Sequence, residues 1–94
     1  MSFAEGKLMT KSVFSIRYQA FLKHLVAARQ SAGLTQVQVA TRLGKPQSYV
    51  SKAENGERRL DFVEFVELAR AMGIKELDLA SAIISDAAFT RSDS

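Results

Sequence analysis

Between Gln47 and Asn55, polar side chains recur at a spacing that a helix would gather onto one side. At about 100° per residue, Gln47, Ser48, Ser51, Lys52 and Asn55 share one arc, while Tyr49, Val50, Ala53 and Glu54 share the other. The first arc holds only hydrogen-bonding groups. Gln and Ser donate and accept, Lys donates, and the small serines let a helix come close to its target. These are the groups that pair with base edges in the major groove of a duplex. A polar helix face on its own is more commonly just solvated, so the surrounding elements have to decide.

Other chemistries are poorly represented. His24 is the sole histidine and falls on the polar flank of its segment with no second ligand type beside it, as a surface histidine does. Ser48 and Lys52 do not have the Ser-x-x-Lys spacing of serine acyl enzymes, and no Gly-rich phosphate loop follows a strand. The chain has no cysteine, which excludes disulfides, thiolate metal sites and a cysteine nucleophile. Neither an enzyme nor a metal site or cofactor is expected.

The elements around the polar arc are well punctuated. Phe21, Leu22, Leu25, Ala28 and Ala32 recur at helical spacing, with Lys23, Ala27 and Gln30 opposite, which predicts a helix over 16–32 ended by Gly33. In the run Leu34 to Val39, Thr35 can cap a second helix, Gln38 can close the capping box and Leu34 can staple onto Val39. That helix should end near Leu43, because Gly44 suits a left-handed closing residue and Pro46 disfavours helical geometry at Lys45. Pro46 suits the first turn of a third helix, which runs to Glu54 or Asn55 before Gly56. Asp61, Glu64, Leu60 and Phe65 repeat the box and staple for a fourth helix, which ends at Gly73. Ile74, Leu77, Ala80, Ile83 and Ile84 mark a fifth that lacks a capping residue at Lys75.

With 94 residues, 47% of them hydrophobic, the chain suits one domain with one core. The expected division is an amino-terminal arm over 1–15, an all-helical domain over 16–88 and a tail over 89–94. Val13 and Phe14 suggest that part of the arm packs or pairs. The amino-terminal stretch has charges where a secretory signal needs an apolar run, and no window suits a bilayer span, so a cytoplasmic location away from membranes is expected.

The net charge of +3 is unevenly distributed. From Arg17 to Arg59, eight basic residues (Arg17, Lys23, Arg29, Arg42, Lys45, Lys52, Arg58, Arg59) face two acids, Glu54 and Glu57. From Asp61 onward, seven acids face Arg70, Lys75 and Arg91. The first region therefore suits a polyanion, and the acidic half suits solvent or an additional protein partner.

From Gln36 to Asn55 the pattern resembles the helix-turn-helix of the phage repressor and Cro family, also called the XRE family. Val39, Ala40 and Leu43 match the inner face of its first helix, Gly44 its turn, and Val50 and Ala53 the inner face of its second. Gly33-Leu34-Thr35-Gln36 and Glu54-Asn55-Gly56 match phrases typical of the family, and the likeness covers about Phe21 to Met72. It implies an all-α, five-helix lambda-repressor-like fold and a transcriptional regulator of double-stranded DNA, most often a repressor. It also implies that Gln47, Ser48, Ser51 and Lys52 face bases, while Gln36, Lys45, Asn55, Arg58 and Arg59 meet phosphates.

Arg29 falls within the apolar arc of the first helix, between the directions of Leu22 and Leu25, where an unpaired guanidinium is costly. Glu54, on the inner arc of the third helix, is the expected partner; the alternative is that Arg29 snorkels to water. A single such domain makes few base contacts, so a homodimer on a palindromic operator is expected. Leu79, Ile83, Ile84 and Phe89 are candidates for its interface, or alternatively for closing the core.

Overall fold

The computed structural model describes residues 15–90 of the chain. Its helices are α1 (Ile16–Ser31), α2 (Gln36–Leu43), α3 (Gln47–Glu54), α4 (Phe62–Ala71), α5 (Glu76–Ser85) and α6 (Ala87–Thr90), and there are no strands among the described residues. Side-chain caps set several of these starts. Ser15 accepts from the Tyr18 N–H at the head of α1. Both expected capping boxes close reciprocally, Thr35 with Gln38 on α2 and Asp61 with Glu64 on α4. Pro46 differs from its expected place. It is the N-cap of α3, with extended backbone, and not a residue of the first turn, so α3 begins with no side-chain cap.

The helix-turn-helix is closed by Gly44, whose φ of 69° lies in the left-handed region. From there the Lys45 N–H reaches back 2.9 Å to the Ala40 carbonyl, which reverses the chain and sends it into α3. The core forms where α1 packs on α3, α5 and α6, α2 on α3 and α4, and α4 on α5. Tyr18, Leu22 and Leu25 of α1 meet Val39 and Ala40 of α2, Val50 of α3 and Phe65, Leu68 and Ala69 of α4. Leu34 and Leu60, the two staple residues, pack against the rim of this cluster.

Three expectations are corrected, two at the carboxy-terminal end and one at the end of α1. Leu79 and Ile83 are buried in the core and Phe89 packs against it, so of the four candidate interface residues only Ile84 remains exposed. Ala32 is exposed at the end of α1 instead of joining its apolar stripe. Finally, the short α6 contains Phe89 and Thr90, where a tail was expected from 89 onward. Four residues are too few to show a helical period, and what organises this helix is Asp86. Its carboxylate accepts from the Ala88 N–H at 2.8 Å and from His24 Nε2 at 2.9 Å, tying α6 to α1 across 62 residues of sequence.

The Ala88 N–H first, and His24 second, hold the Asp86 carboxyl below its usual range. A depressed carboxyl pKa contributes stability that is fully present above the unfolded value and is lost as pH falls through the folded one. Asp86→Ala should therefore lower the melting temperature at pH 7, and the difference from wild type should shrink as the pH drops below about 4. Gly44→Ala should cost about 1–2 kcal/mol in urea unfolding, because the left-handed backbone is strained for any side chain even though a Cβ would meet open space.

Candidate nucleic-acid interface

The two arcs of α3 separate as their chemistry requires. Val50 and Ala53 are each 1% exposed against the core, while Gln47, Ser48 and Lys52 are exposed and Ser51 is half-buried beside them. The helix is short, and its underside has only two fully buried anchors. Its orientation therefore depends on what grips its end.

That grip is a polar network centred on Glu54. Arg29 Nε donates to Glu54 Oε2 at 2.6 Å and Arg29 Nη2 to Oε1 at 3.1 Å, a bidentate pair whose side chains are 13% and 12% exposed. Arg29 Nη1 also donates to the Leu34 carbonyl at 2.9 Å, where the chain leaves α1 for α2. Gln36 Nε2, in the first turn of α2, donates to Glu54 Oε1 at 2.8 Å. Gln36 Oε1 in turn accepts from Gln47 Nε2 at 2.7 Å. One carboxylate thus connects α1, α2 and α3, and the last link in the chain is a side chain of the polar arc. Gln36 has one amide hydrogen left over, and Gln47 retains one amide hydrogen and its carbonyl oxygen.

The basic residues flank this arc. Lys45 Nζ lies 5.1 Å from the centre of the Tyr49 ring, and the Arg58 guanidinium 4.8 Å from the same ring. Arg58 Nη2 donates to Glu64 Oε2 at 2.5 Å. Arg59 stacks at 4.3 Å on Tyr18, whose hydroxyl accepts from the Leu60 N–H and so ties the loop after α3 to α1. Asn55 is engaged locally: its Oδ1 accepts from the Glu57 N–H and its Nδ2 donates to the Glu57 carboxylate.

Two of these arrangements had no sequence signal of their own. Tyr49 stands on the packing arc by its spacing, yet it carries two cations at the edge of α3. Arg42, which counts only as charge in the sequence, donates to the Ala71 carbonyl at 2.8 Å and satisfies the end of α4. Burial raises the Tyr49 hydroxyl above its usual pKa, and the hydrogen bond with Arg58 partly opposes that shift.

A polar helix held over a left-handed glycine turn, on a neighbour whose first turn braces it, defines a helix-turn-helix DNA-binding domain. The chain belongs to the HTH_3 helix-turn-helix family, whose model matches residues 25–79, more than half of its length. Among curated proteins it is 38% identical over 53 residues to an uncharacterized HTH-type transcriptional regulator, y4dJ, of Sinorhizobium fredii (strain NBRC 101917 / NGR234), covering 56% of this chain and 69% of that protein. Among solved structures it matches an XRE-family like protein from Pseudomonas syringae pv. tomato str. DC3000 with a TM-score of 0.71 and 49% identity, over 78% of this chain and 89% of the other. It is accordingly an XRE-like, DNA-binding transcriptional regulator, of a class that regulates and does not catalyse. No group of side chains suited to a metal ion occurs among the described residues, and no helix there is long and apolar enough to cross a membrane.

Removing one partner of a largely desolvated pair leaves the other uncompensated. Glu54→Ala should therefore destabilise the domain by about 3 kcal/mol in urea unfolding and weaken DNA binding through the loosened α3, since Glu54 is held inward by Arg29. Glu54→Gln, which keeps an acceptor for Arg29, should lose less of both.

Proposed function

We propose that the protein is a sequence-specific repressor that binds a palindromic operator as a homodimer, reading each half-site with α3 in the major groove. The observation that carries this reading is the coupling of Gln47 through Gln36 to Glu54. A reading side chain gains specificity when its rotamer is fixed before binding, and Gln47 is fixed with a donor and an acceptor still to offer. That pair matches the N7 acceptor and N6 donor of adenine. Ser48, Ser51 and Lys52 complete the reading face, with Lys52 suited to guanine or to a phosphate at the groove edge.

The phosphate contacts belong to the flanks. Gln36 offers its remaining amide hydrogen and the amino-terminal end of α2, where backbone N–H groups favour an anion. Lys45, Arg58 and Arg59 bring positive charge to either side of α3, and Asn55 contributes from its end with the Glu57 carboxylate beside it. Such contacts fix register and do not discriminate between sequences.

Dimerisation follows from the small number of base contacts one α3 can make. Leu77, 79% exposed, and Ile84, 57% exposed, lie seven residues apart on the outer face of α5 and give that face the apolar character of an isologous contact. Repression follows by occlusion of a promoter in the cytoplasm. The acidic surface of α4 and α5 is the place for a further protein partner.

Selection of bound sites from random duplex DNA tests the reading as a whole and should return a two-fold symmetric sequence. On that sequence Gln47→Ala and Lys52→Ala should each lose about 1–3 kcal/mol of binding and relax preference at particular positions. Arg58→Ala should weaken binding to all sequences alike, as loss of a backbone contact does. If every one of these substitutions acts equally on all sequences, no base is being read.

A further inference from the structure

The Arg58 guanidinium, a phosphate donor in the reading above, is already bound to an anion. It is paired with Glu64 at 2.5 Å, and its side chain is 46% exposed while that of Glu64 is 19% exposed. The outer side of the guanidinium therefore faces solvent and its inner side faces the carboxylate. Glu64 is itself anchored, because its Oε1 closes the α4 capping box by accepting from the Asp61 N–H at 2.9 Å. Arg58 lies in a loop and rests against Tyr49, which meets it with both its ring face and its hydroxyl and so gives the cation a seat independent of Glu64. Lys45 shares that ring, and its charge reaches the Glu64 carboxylate.

We propose that Glu64 is a built-in phosphate mimic that holds Arg58 in the free protein and gives it up to the DNA backbone on binding, so that Glu64 sets the affinity of the regulator without contacting DNA. This rests on Arg58 being a phosphate contact, as proposed above. The exchange is an anion swap on one guanidinium. Tyr49 keeps the side chain in place while its partner changes. A carboxylate that loses its cation at the interface takes up a counterion, so the swap offsets about one of the counterions that phosphate contacts release.

Glu64→Gln separates this role from a purely structural one. The amide still offers an oxygen to the Asp61 N–H, so α4 keeps its cap, but the competing charge is gone. Binding measured over a range of salt should become about two- to fivefold tighter on operator and non-operator duplexes alike, the range expected for freeing a partner from an exposed ion pair. The slope of log K against log salt should steepen by about one. The gain should vanish in an Arg58→Ala background and should exceed that of Glu67→Gln, which removes a nearby α4 charge not paired with Arg58. In the wild-type protein, with no substitution, the Glu64 carboxyl followed by carbon NMR should titrate at higher pH with DNA bound than without, because it has lost Arg58.

Weaker or unchanged binding by Glu64→Gln, an equal gain from Glu67→Gln, a gain that survives Arg58→Ala, or a Glu64 carboxyl whose titration DNA leaves unmoved would each overturn the proposal. Site selection on the wild-type protein stands apart from these outcomes. A symmetric selected site together with an inert Glu64→Gln rejects the anion swap alone, whereas failure to select any site rejects the reading on which it rests.

Discussion

A carboxylate enclosed between three helices must be answered on every side that water cannot reach, and the geometry of this domain follows from how Glu54 is answered. Arg29 takes both oxygens from α1, and Gln36 takes one from the start of α2. Such a pair adds little net stability over an apolar substitute, since desolvation offsets much of the attraction. Its contribution is directional. The planar fork of Arg29 accepts the carboxylate in one orientation, and because Arg29 also holds the Leu34 carbonyl, the same group fixes where α2 departs from α1. A short helix with two buried anchors could roll on its neighbours; a bidentate pair at its end removes that freedom.

The parts of the fold written in local spacing were legible in the sequence. Thr35 with Gln38 and Asp61 with Glu64 are separated by three residues, so their reciprocal bonds follow once a helix forms between them. Gly44 was readable for the same reason, since only a residue tolerant of positive φ closes α2 at that point. Contacts between distant segments were legible only where one residue was out of place. Arg29 on an apolar stripe demanded a partner and receives Glu54, whereas nothing about His24 or Asp86, each ordinary in its own segment, announced that they would meet.

The candidate site divides in the same way. The arc of α3 was visible from its period, and its exposed and buried sides fall where that period puts them. What the spacing could not reveal is which polar groups are already in use. Gln36 looks like a free amide in the sequence, but both its ends are engaged, and Arg58 looks like a free cation in a loop. The hydrogen-bonding inventory of the site depends on neighbours as far as 42 residues away, as for Tyr18 and Leu60, and no periodicity encodes it.

The side chains of Ser48, Ser51 and Lys52 make no hydrogen bond or ion pair with the other described residues, while Gln47 is wired into the frame. Recognition and architecture are therefore nearly separable. If these three side chains meet bases as proposed, substitutions at them would change the contacts made to DNA without disturbing the packing that holds α3. Gln47 has no such freedom: to change it is to disturb the partner of Gln36 as well. The surface is thus like a key blank in which one tooth is part of the shank and the others are cut freely.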